Sequence, residues 1–301
     1  MIDAHVHFFS REFFRALIEQ LPPHTDKAAA LKTLTDKTGI TLPPDSVEAH
    51  ARTWLAELDE HDIDHAVIFA SLPQEAKAVA DAVALGQGRF TGFTLVSPLS
   101  PGAETFVKAS ADQGLRGILL FPVLHGYSMA DERVRPVLAA ARDRKMVVVA
   151  HFGLLQIKLR DVLGLPKTYD LRHANPLDLS IRAHEFPELP FIIPHFGCGL
   201  LRETLMVATH CPNVHVDTSS SNDWMKTQPG RPTLEDVLEQ TLAVVGPRRV
   251  IFGTDSGVFP RGYRHDLKDR LLESLDAIGA DESVTGQVMG GNMARLLGIK
   301  T

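Results

Sequence analysis

The sequence predicts an α/β fold of the TIM or (β/α)8 barrel type, built as a single domain over residues 1–301. Short apolar, β-branched runs alternate with stretches of helical length, and about eight such units follow one another. No glycine-rich dinucleotide motif follows the first run, which weakens the alternative of an open doubly wound sheet. A length of 301 residues suits one barrel.

The predicted strands are continuous apolar runs, which are typical of parallel strands covered on both faces. They are expected over residues 2–7, 66–70, 93–96, 117–121, 146–151, 191–195, 214–217 and 250–254. Amphipathic spacing predicts helices between them, as at Trp54, Leu55 and Leu58. This order of strands and helices is the basis of the barrel prediction.

One long segment, about residues 10–46, interrupts the alternation after the first strand. Its proline pairs, Pro22-Pro23 and Pro43-Pro44, mark turns, and residues 11–20 are expected to be helical. We interpret the segment as an insertion over the face formed by the carboxyl ends of the strands. A surface excursion without function is the alternative interpretation.

Composition narrows the classes of partner. Hydrophobic residues make up 44% of the chain and the formal net charge is -6, so nucleic acid and anionic membrane surfaces are disfavoured as partners. No apolar run approaches the length of about 18 residues that spans a bilayer, and the first residues lack the features of a signal peptide. Two cysteines do not make a disulfide framework. We therefore expect a cytoplasmic protein with a small-molecule partner, and a homodimer is an open alternative.

The first strand ends with two histidines, His5 and His7. Residues two apart on a strand point to the same face, so these imidazoles are expected to converge inside the barrel. Two converging imidazoles suit a divalent metal such as zinc. The alternative is a pair of hydrogen-bonded core histidines.

Three further polar residues stand at the ends of predicted strands. His151 ends the fifth strand, His195 ends the sixth, and Asp255 follows the eighth. In a barrel the carboxyl ends of all strands meet at one mouth, where active sites lie. Unrelated core roles would require three coincidences, so we expect these residues to share one site with His5 and His7.

This ordered set resembles the amidohydrolase superfamily, and most closely its amidohydrolase-2 branch, which is related to aminocarboxymuconate-semialdehyde decarboxylase. The resemblance runs through nearly the whole chain in His5-Val6-His7, His151, His195 and Gly253-Thr254-Asp255. It implies that His5, His7, His151 and Asp255 are metal ligands. It also implies that His195 acts beside the metal and that Asp255 accepts a proton from metal-bound water.

One departure from the superfamily pattern bears on the number of metal ions. Binuclear members bridge two metals through a carboxylated lysine on the fourth strand, whereas residues 116–121 contain no lysine. We therefore expect one divalent metal. Zinc is the first choice, and manganese and iron are alternatives because nitrogen and oxygen ligands accept all three.

The resemblance implies a metal-dependent hydrolase in which metal-bound water attacks an amide, lactone or ester carbonyl. The substrate would be a small molecule, and carboxylated molecules are among the candidates. Several aromatic decarboxylases of the branch have a glutamate at the position of His5, so the His-x-His pattern favours hydrolysis. A non-oxidative decarboxylase or other lyase is the second hypothesis, and a catalytically silent metal-binding barrel is the third.

Candidates for substrate binding lie in the loops that follow the strands. Arg261 and Arg264 come after the eighth strand, and a guanidinium group pairs bidentately with a carboxylate. His125 after the fourth strand and His173 after the fifth are further candidates. Residues 219–224 form another candidate wall of the pocket. A solvated or purely structural role is the alternative for each.

Overall fold

Eight parallel strands follow one another around a nearly closed barrel in the computed structural model, which describes residues 1–167, 169–219 and 223–299. The strands are β1 (Ile2–His7), β2 (His65–Ala70), β3 (Phe90–Val96), β4 (Gly117–Leu120), β5 (Val147–Ala150), β6 (Phe191–Ile193), β7 (Val214–Asp217) and β8 (Val250–Ile251). Each strand pairs in parallel with the next one in the sequence. The predicted TIM barrel is confirmed.

The barrel closes where β1 meets β8 and the residues that follow it, a region we call the seam. The Ala4 amide donates to the Phe252 carbonyl at 2.9 Å, and the Asp255 amide donates to the His5 carbonyl at 2.9 Å. The His7 amide donates to the Ser256 carbonyl at 2.7 Å. These backbone bonds bring Asp255 beside the two histidines of β1, although they are about 250 positions apart in the sequence.

Helices surround the barrel and precede or follow its strands. They are α1 (Arg11–Ile18), α2 (Lys27–Thr38), α3 (Val47–Glu60), α4 (Ala76–Leu85), α5 (Ala103–Asp112), α6 (Pro122–His125), α7 (Val134–Asp143), α8 (Lys158–Val162), α9 (Leu179–Glu185), α10 (Leu201–His210), α11 (Leu234–Val245), α12 (His265–Ala277), α13 (Glu282–Gly286) and α14 (Asn292–Leu297). Short 3-10 turns lie at Pro73–Glu75, Leu171–His173, Pro176–Asp178, His195–Gly197, Trp224–Thr227 and Pro247–Arg249, and a π turn lies at Gln287–Gly291. None of the helices within the described ranges is both long enough and apolar enough to cross a bilayer.

The strands separate two apolar layers, because successive side chains of a strand point to opposite faces. In β2, Val67 and Phe69 pack inside the barrel, whereas Ala66 and Ile68 pack beneath the surrounding helices. Helix α14 adds side chains to the interior cluster. The interior is therefore a packed core beneath the carboxyl ends of the strands, and it supports the side chains at those ends.

Four strands end earlier than the sequence predicts: β4 and β5 by one residue, β6 by two and β8 by three. The predicted strand over residues 191–195 ends at Ile193, because Pro194 has no amide hydrogen to continue the ladder and His195 has a φ of 57°. The predicted strand over residues 250–254 ends at Ile251, and Asp255 also has a φ of 57°. In both segments the backbone leaves the strand direction where His195 or Asp255 is presented to the site.

The insertion after β1 contains two helices. The helix predicted over residues 11–20 is α1, which ends at Ile18, and α2 follows it. Ser10 precedes α1, and its amide donates to the Glu75 carboxylate. The Thr38, Gly39 and Ile40 segment leads back toward the seam, where Thr41 bridges to Phe259.

Candidate active site

One cavity of about 720 Å³ opens at the carboxyl ends of the strands. The residues that the sequence places in the site all line it: His5, His7, His151, His195 and Asp255. The first two are carried by β1, and the other three stand just beyond β5, β6 and β8. Four separate strand ends thus deliver side chains to one space.

One compact group of possible metal ligands in the cavity consists of His5, His7 and Asp255. Their ligand atoms lie within 4.8 Å of one another. His7 Nε2 is 3.1 Å from Asp255 Oδ1, and His5 Nε2 is 3.8 Å from the same oxygen. Two imidazole nitrogens and a carboxylate oxygen that converge in this way are a donor set that zinc, manganese and iron accept.

The other nitrogen of each β1 histidine has a partner of its own. His5 Nδ1 lies 2.7 Å from Asp217 Oδ2, and His7 Nδ1 lies 2.6 Å from Ser71 Oγ. When His5 donates from Nδ1 to the Asp217 carboxylate, the Nε2 lone pair is left facing Asp255. Metal-binding histidines are held in this manner, because the partner fixes both the tautomer and the ring orientation.

Sequence reasoning missed Asp217 and Ser71. Asp217 is the last residue of β7, and Ser71 directly follows β2. The signal was available, because the rule that selected Asp255 and His151 as polar residues at strand ends also selects these two. Burial favours the neutral form of Asp217, but the charge and hydrogen bond of His5 outweigh it and lower the pKa of this carboxyl.

His151 lies outside the group of His5, His7 and Asp255 but beside it. Its ring centroid is 5.1 Å from that of His195, and the Phe121 ring stacks on it at 4.8 Å. The Nδ1 atom of His151 is buried and has no hydrogen-bond partner among the described residues. Burial, followed by the charges of His195 and His5, lowers the pKa of His151 well below its usual value. A neutral imidazole with an unsatisfied buried nitrogen fits a metal ligand.

His195 is held by the loop after β7. Its Nδ1 lies 2.7 Å from Ser219 Oγ, and its ring centroid is 5.0 Å from that of His5. Burial is the largest influence on its pKa, which is lowered to about 4 although Asp255 opposes the shift. His195 is therefore a neutral imidazole at neutral pH, and its Nε2 is the nitrogen left for a ligand in the cavity.

Asp255 is an ionised carboxylate. Burial alone would favour the neutral acid, but the hydrogen bond and charge of His7 and the charges of His195 and His5 hold its pKa well below the usual range. Both Asp255 and His195 have left-handed backbone conformations, which non-glycine residues rarely adopt. Backbone strain of this kind concentrates at functional sites, where the surrounding structure fixes it.

The structure separates the four candidate substrate-binding residues. Arg261 lines the cavity, whereas Arg264, His125 and His173 are not among the described residues of its wall. Arg264 forms a bidentate pair with Asp266, with both N–O distances 2.7 Å. His173 Nε2 lies 3.6 Å from Asp170. Arg261 is therefore the candidate that the geometry retains.

One loop prediction and one nearby cysteine can also be placed. Residues 220–222 of the candidate wall after β7 lie outside the described residues, whereas Ser219 reaches the site through His195. Cys198, three positions after His195, is buried, and its Sγ lies 3.1 Å from the Leu154 carbonyl oxygen. This contact suits a small buried residue better than a nucleophile.

The fold and the site together define a class: an eight-stranded barrel with a histidine and aspartate cluster at its strand ends. The family model described as Amidohydrolase matches residues 2–299, and this chain belongs to that family. The family predicted from the ordered strand-end residues is therefore confirmed.

Solved structures share the fold over the whole chain. The 5-carboxyvanillate decarboxylase LigW from Sphingomonas paucimobilis is 15% identical, with a TM-score of 0.66 and coverage of 100% of this chain and 99% of that chain. A probable 2-pyrone-4,6-dicarboxylic acid hydrolase from Acinetobacter baumannii, solved with citric acid bound, is 16% identical, with a TM-score of 0.62 and coverage of 99% of both chains. The 5-carboxyvanillate decarboxylase from Novosphingobium aromaticivorans, complexed with manganese and 4-hydroxy-3-methoxy-5-nitrobenzoic acid, is 16% identical, with a TM-score of 0.67 and coverage of 99% and 96%. At these identities the likeness concerns the barrel.

A curated relative matches only part of the chain. Protein fluG of Emericella nidulans is 27% identical over 94 residues, which are 31% of this chain. The match spans 10% of the length of that protein.

Proposed function

We propose that this protein is a metal-dependent hydrolase that uses water to attack the carbonyl of an amide, lactone or ester of a small molecule and so cleaves its acyl C–N or C–O bond. One divalent metal would be held by His5, His7, Asp255 and His151. The observation that carries the proposal is the convergence of two imidazole nitrogens and a carboxylate oxygen within 4.8 Å at the seam. Zinc is the expected metal, and manganese and iron are the alternatives.

The chain's own residues have distinct roles in this proposal. When bound, a divalent metal acts as a Lewis acid and makes a water molecule a stronger nucleophile near neutral pH. Asp255, which stays ionised, accepts the proton that the attacking water loses and returns it to the leaving nitrogen or oxygen as the acyl bond breaks. His195, held at Nδ1 by Ser219, donates from Nε2 to the carbonyl oxygen on which negative charge develops. Asp217 and Ser71 keep the β1 histidines in place.

Metal analysis tests the first part of the proposal. Protein expressed with added zinc should hold close to one divalent ion per chain, and removal by a chelator should abolish turnover until the metal is restored. Protein that holds no metal and keeps its activity after chelation would contradict the proposal.

A non-oxidative decarboxylase is the second candidate, and one observation favours it. Phe121 stacks on His151 and Leu119 also lines the cavity, and such apolar lining weakens the hydration of a substrate carboxylate. Decarboxylases are also among the proteins that share the fold. Carbon dioxide release from carboxylated arenes would support this candidate, whereas stoichiometric uptake of water into two products supports hydrolysis. A broad substrate panel without turnover would leave a catalytically silent barrel.

The location, the partners and the oligomeric state of the protein are part of the same proposal. Cys198 and Cys211 are both buried, and so few cysteines in a chain of this length support a cytoplasmic location. We expect a small molecule as the partner and no nucleic acid. A homodimer stays a prediction that gel filtration with light scattering tests.

A further inference from the structure

The lining of the cavity has a polar part and an apolar part. The polar part is the cluster at the seam. The apolar part contains Phe13, Leu17 and Ile40 of the insertion, whose residues 10–46 we call the roof, together with Leu155 and Leu159 of the loop after β5. Phe9 stacks on His7 and lies where the two parts meet. A volume of about 720 Å³ lies in the upper part of the range of roughly 300–1,000 Å³ for small-molecule sites, so the cavity has room beyond a compact ligand at the metal.

The roof is a built wall. Its helices share an apolar cluster in which Phe14 and Leu34 are fully buried, and Leu165 from the loop after β5 joins them. Arg160 of α8 donates to Gln20 Oε1 at 2.6 Å and ties this loop to the insertion. The apolar part of the cavity lining is thus formed largely by side chains that belong to this packed cluster, as in preformed ligand sites.

The charges that line the cavity are unbalanced. Lys158, Arg160 and Arg261 line it, and Asp255 is the single carboxylate among its described lining residues. Within residues 1–167, 169–219 and 223–299, none of these three cations forms an ion pair with a carboxylate. In a chain with a formal net charge of -6, three such cations around one cavity indicate an anionic ligand.

We propose that the substrate is an anionic amphiphile. Its apolar group, longer than a single ring, extends under the roof against Leu17, and its anionic group is bound by Arg261 at the mouth. This inference rests on the proposed function only in that it places the reacting carbonyl between Leu17 and Arg261. Arg261 stands six positions after Asp255, and both residues line the same cavity. Arg264, by contrast, is already paired with Asp266.

A series of n-alkanoates from acetate to decanoate tests the apolar part. Titration calorimetry should show the dissociation constant falling about threefold to fourfold for each added methylene, because each one is removed from water. Leu17→Ala should weaken octanoate about tenfold and leave acetate unchanged. Leu34→Ala is the matched control, since it removes the same atoms from the same roof cluster without touching the cavity. A flat wild-type series, or equal effects of the two variants, would overturn the apolar assignment.

The anionic part has its own test. Arg261→Gln should weaken every alkanoate by a similar factor, about fivefold to tenfold, without changing the dependence on chain length. Alkanols of the same lengths should bind more weakly than alkanoates to the wild type and should be insensitive to this substitution. Alkanoate binding that is unaffected by Arg261→Gln would overturn the role of Arg261.

These measurements are separate from turnover. Chain-length dependence in binding, together with no water addition to any carbonyl substrate, would leave this inference standing and contradict the hydrolase. An active hydrolase with a flat alkanoate series would contradict this inference alone.

Discussion

The seam and the roof face the same cavity but are built in opposite ways. At the seam, polar side chains stand on or just after strands, and each is held by a partner such as Asp217 or Ser71. At the roof, apolar side chains on two helices pack into a small cluster of their own. The difference indicates a division of labour, in which rigid strand ends carry the chemistry and a packed insertion shapes the ligand.

The two regions should also respond to different perturbations. The seam depends on charge and hydrogen bonding in a buried setting, where a lost partner leaves an unsatisfied group. The roof depends on apolar packing, where lost atoms leave a cavity. Substitutions can therefore disable one region and leave the other intact.

The largest effect is expected from Asp255→Asn at the seam. Turnover should fall about 1,000-fold or more, because an amide neither accepts the proton nor binds a metal as a carboxylate does. Steady-state kinetics and thermal unfolding should show lost activity in a folded protein. Asp266→Asn is the matched control, because this carboxylate pairs with Arg264 outside the cavity. Turnover that survives in Asp255→Asn would remove Asp255 from the proposed chemistry.

The next effect is expected from Leu34→Ala in the roof. Deleting this fully buried side chain should lower the local stability of the roof by about 2–4 kcal/mol. Hydrogen exchange should accelerate in the peptides of α1 and α2 and stay unchanged in β2. Leu120→Ala in β4 should instead accelerate exchange throughout the barrel. Equal acceleration in the roof and β2 for Leu34→Ala would show that the two regions unfold as one.

Glu75 joins the two regions, and its titration sharpens the comparison. It is fully buried and accepts hydrogen bonds from the amides of Ser10 and Ser71. Burial raises the pKa of Glu75 from 4.5 to about 7, against the lowering effect of those bonds. Since the folded pKa lies above the unfolded one, the stability that Glu75 contributes is complete below about pH 4.5 and is lost as pH rises through 7.

Between pH 5 and 7 this loss should amount to about 2–3 kcal/mol in the free energy of unfolding. Glu75→Gln should remove it, because the amide does not titrate. Urea unfolding of the wild type and of Glu75→Gln at pH 5, 6 and 7 gives the slope of the unfolding free energy against pH for each protein, and the two slopes are compared. Parallel pH profiles would contradict a raised pKa for Glu75.

A smaller effect is expected from Asp217→Asn. The metal affinity should fall about 10-fold to 100-fold, because the amide holds His5 less firmly and makes its Nε2 a weaker ligand. Competition with a chromophoric chelator measures the affinity. Asp266→Asn again serves as the control and should bind metal as the wild type does. Unchanged affinity in Asp217→Asn would mean that the strand alone positions His5.

The sequence by itself determined the barrel, the family and five of the polar residues that line the cavity. Alternating strand and helix patterns fix the order of elements, and the ends of parallel strands meet wherever such a barrel closes. For this reason His5, His7, His151, His195 and Asp255 could be assigned to one cavity before their distances were known. Whether they hold one metal remains a prediction.

The tertiary structure alone decided which partners these residues have and which loop residues reach the cavity. His5 and Asp217 are 212 positions apart, and their contact depends on the closure of the barrel and on the orientation of both side chains. Arg261 and Arg264 look equivalent in the sequence, yet only Arg264 finds a carboxylate at pairing distance in the described chain. The structure of the roof could not be predicted for the same reason. The packing of the insertion against the loop after β5 is a long-range contact that local sequence patterns do not encode.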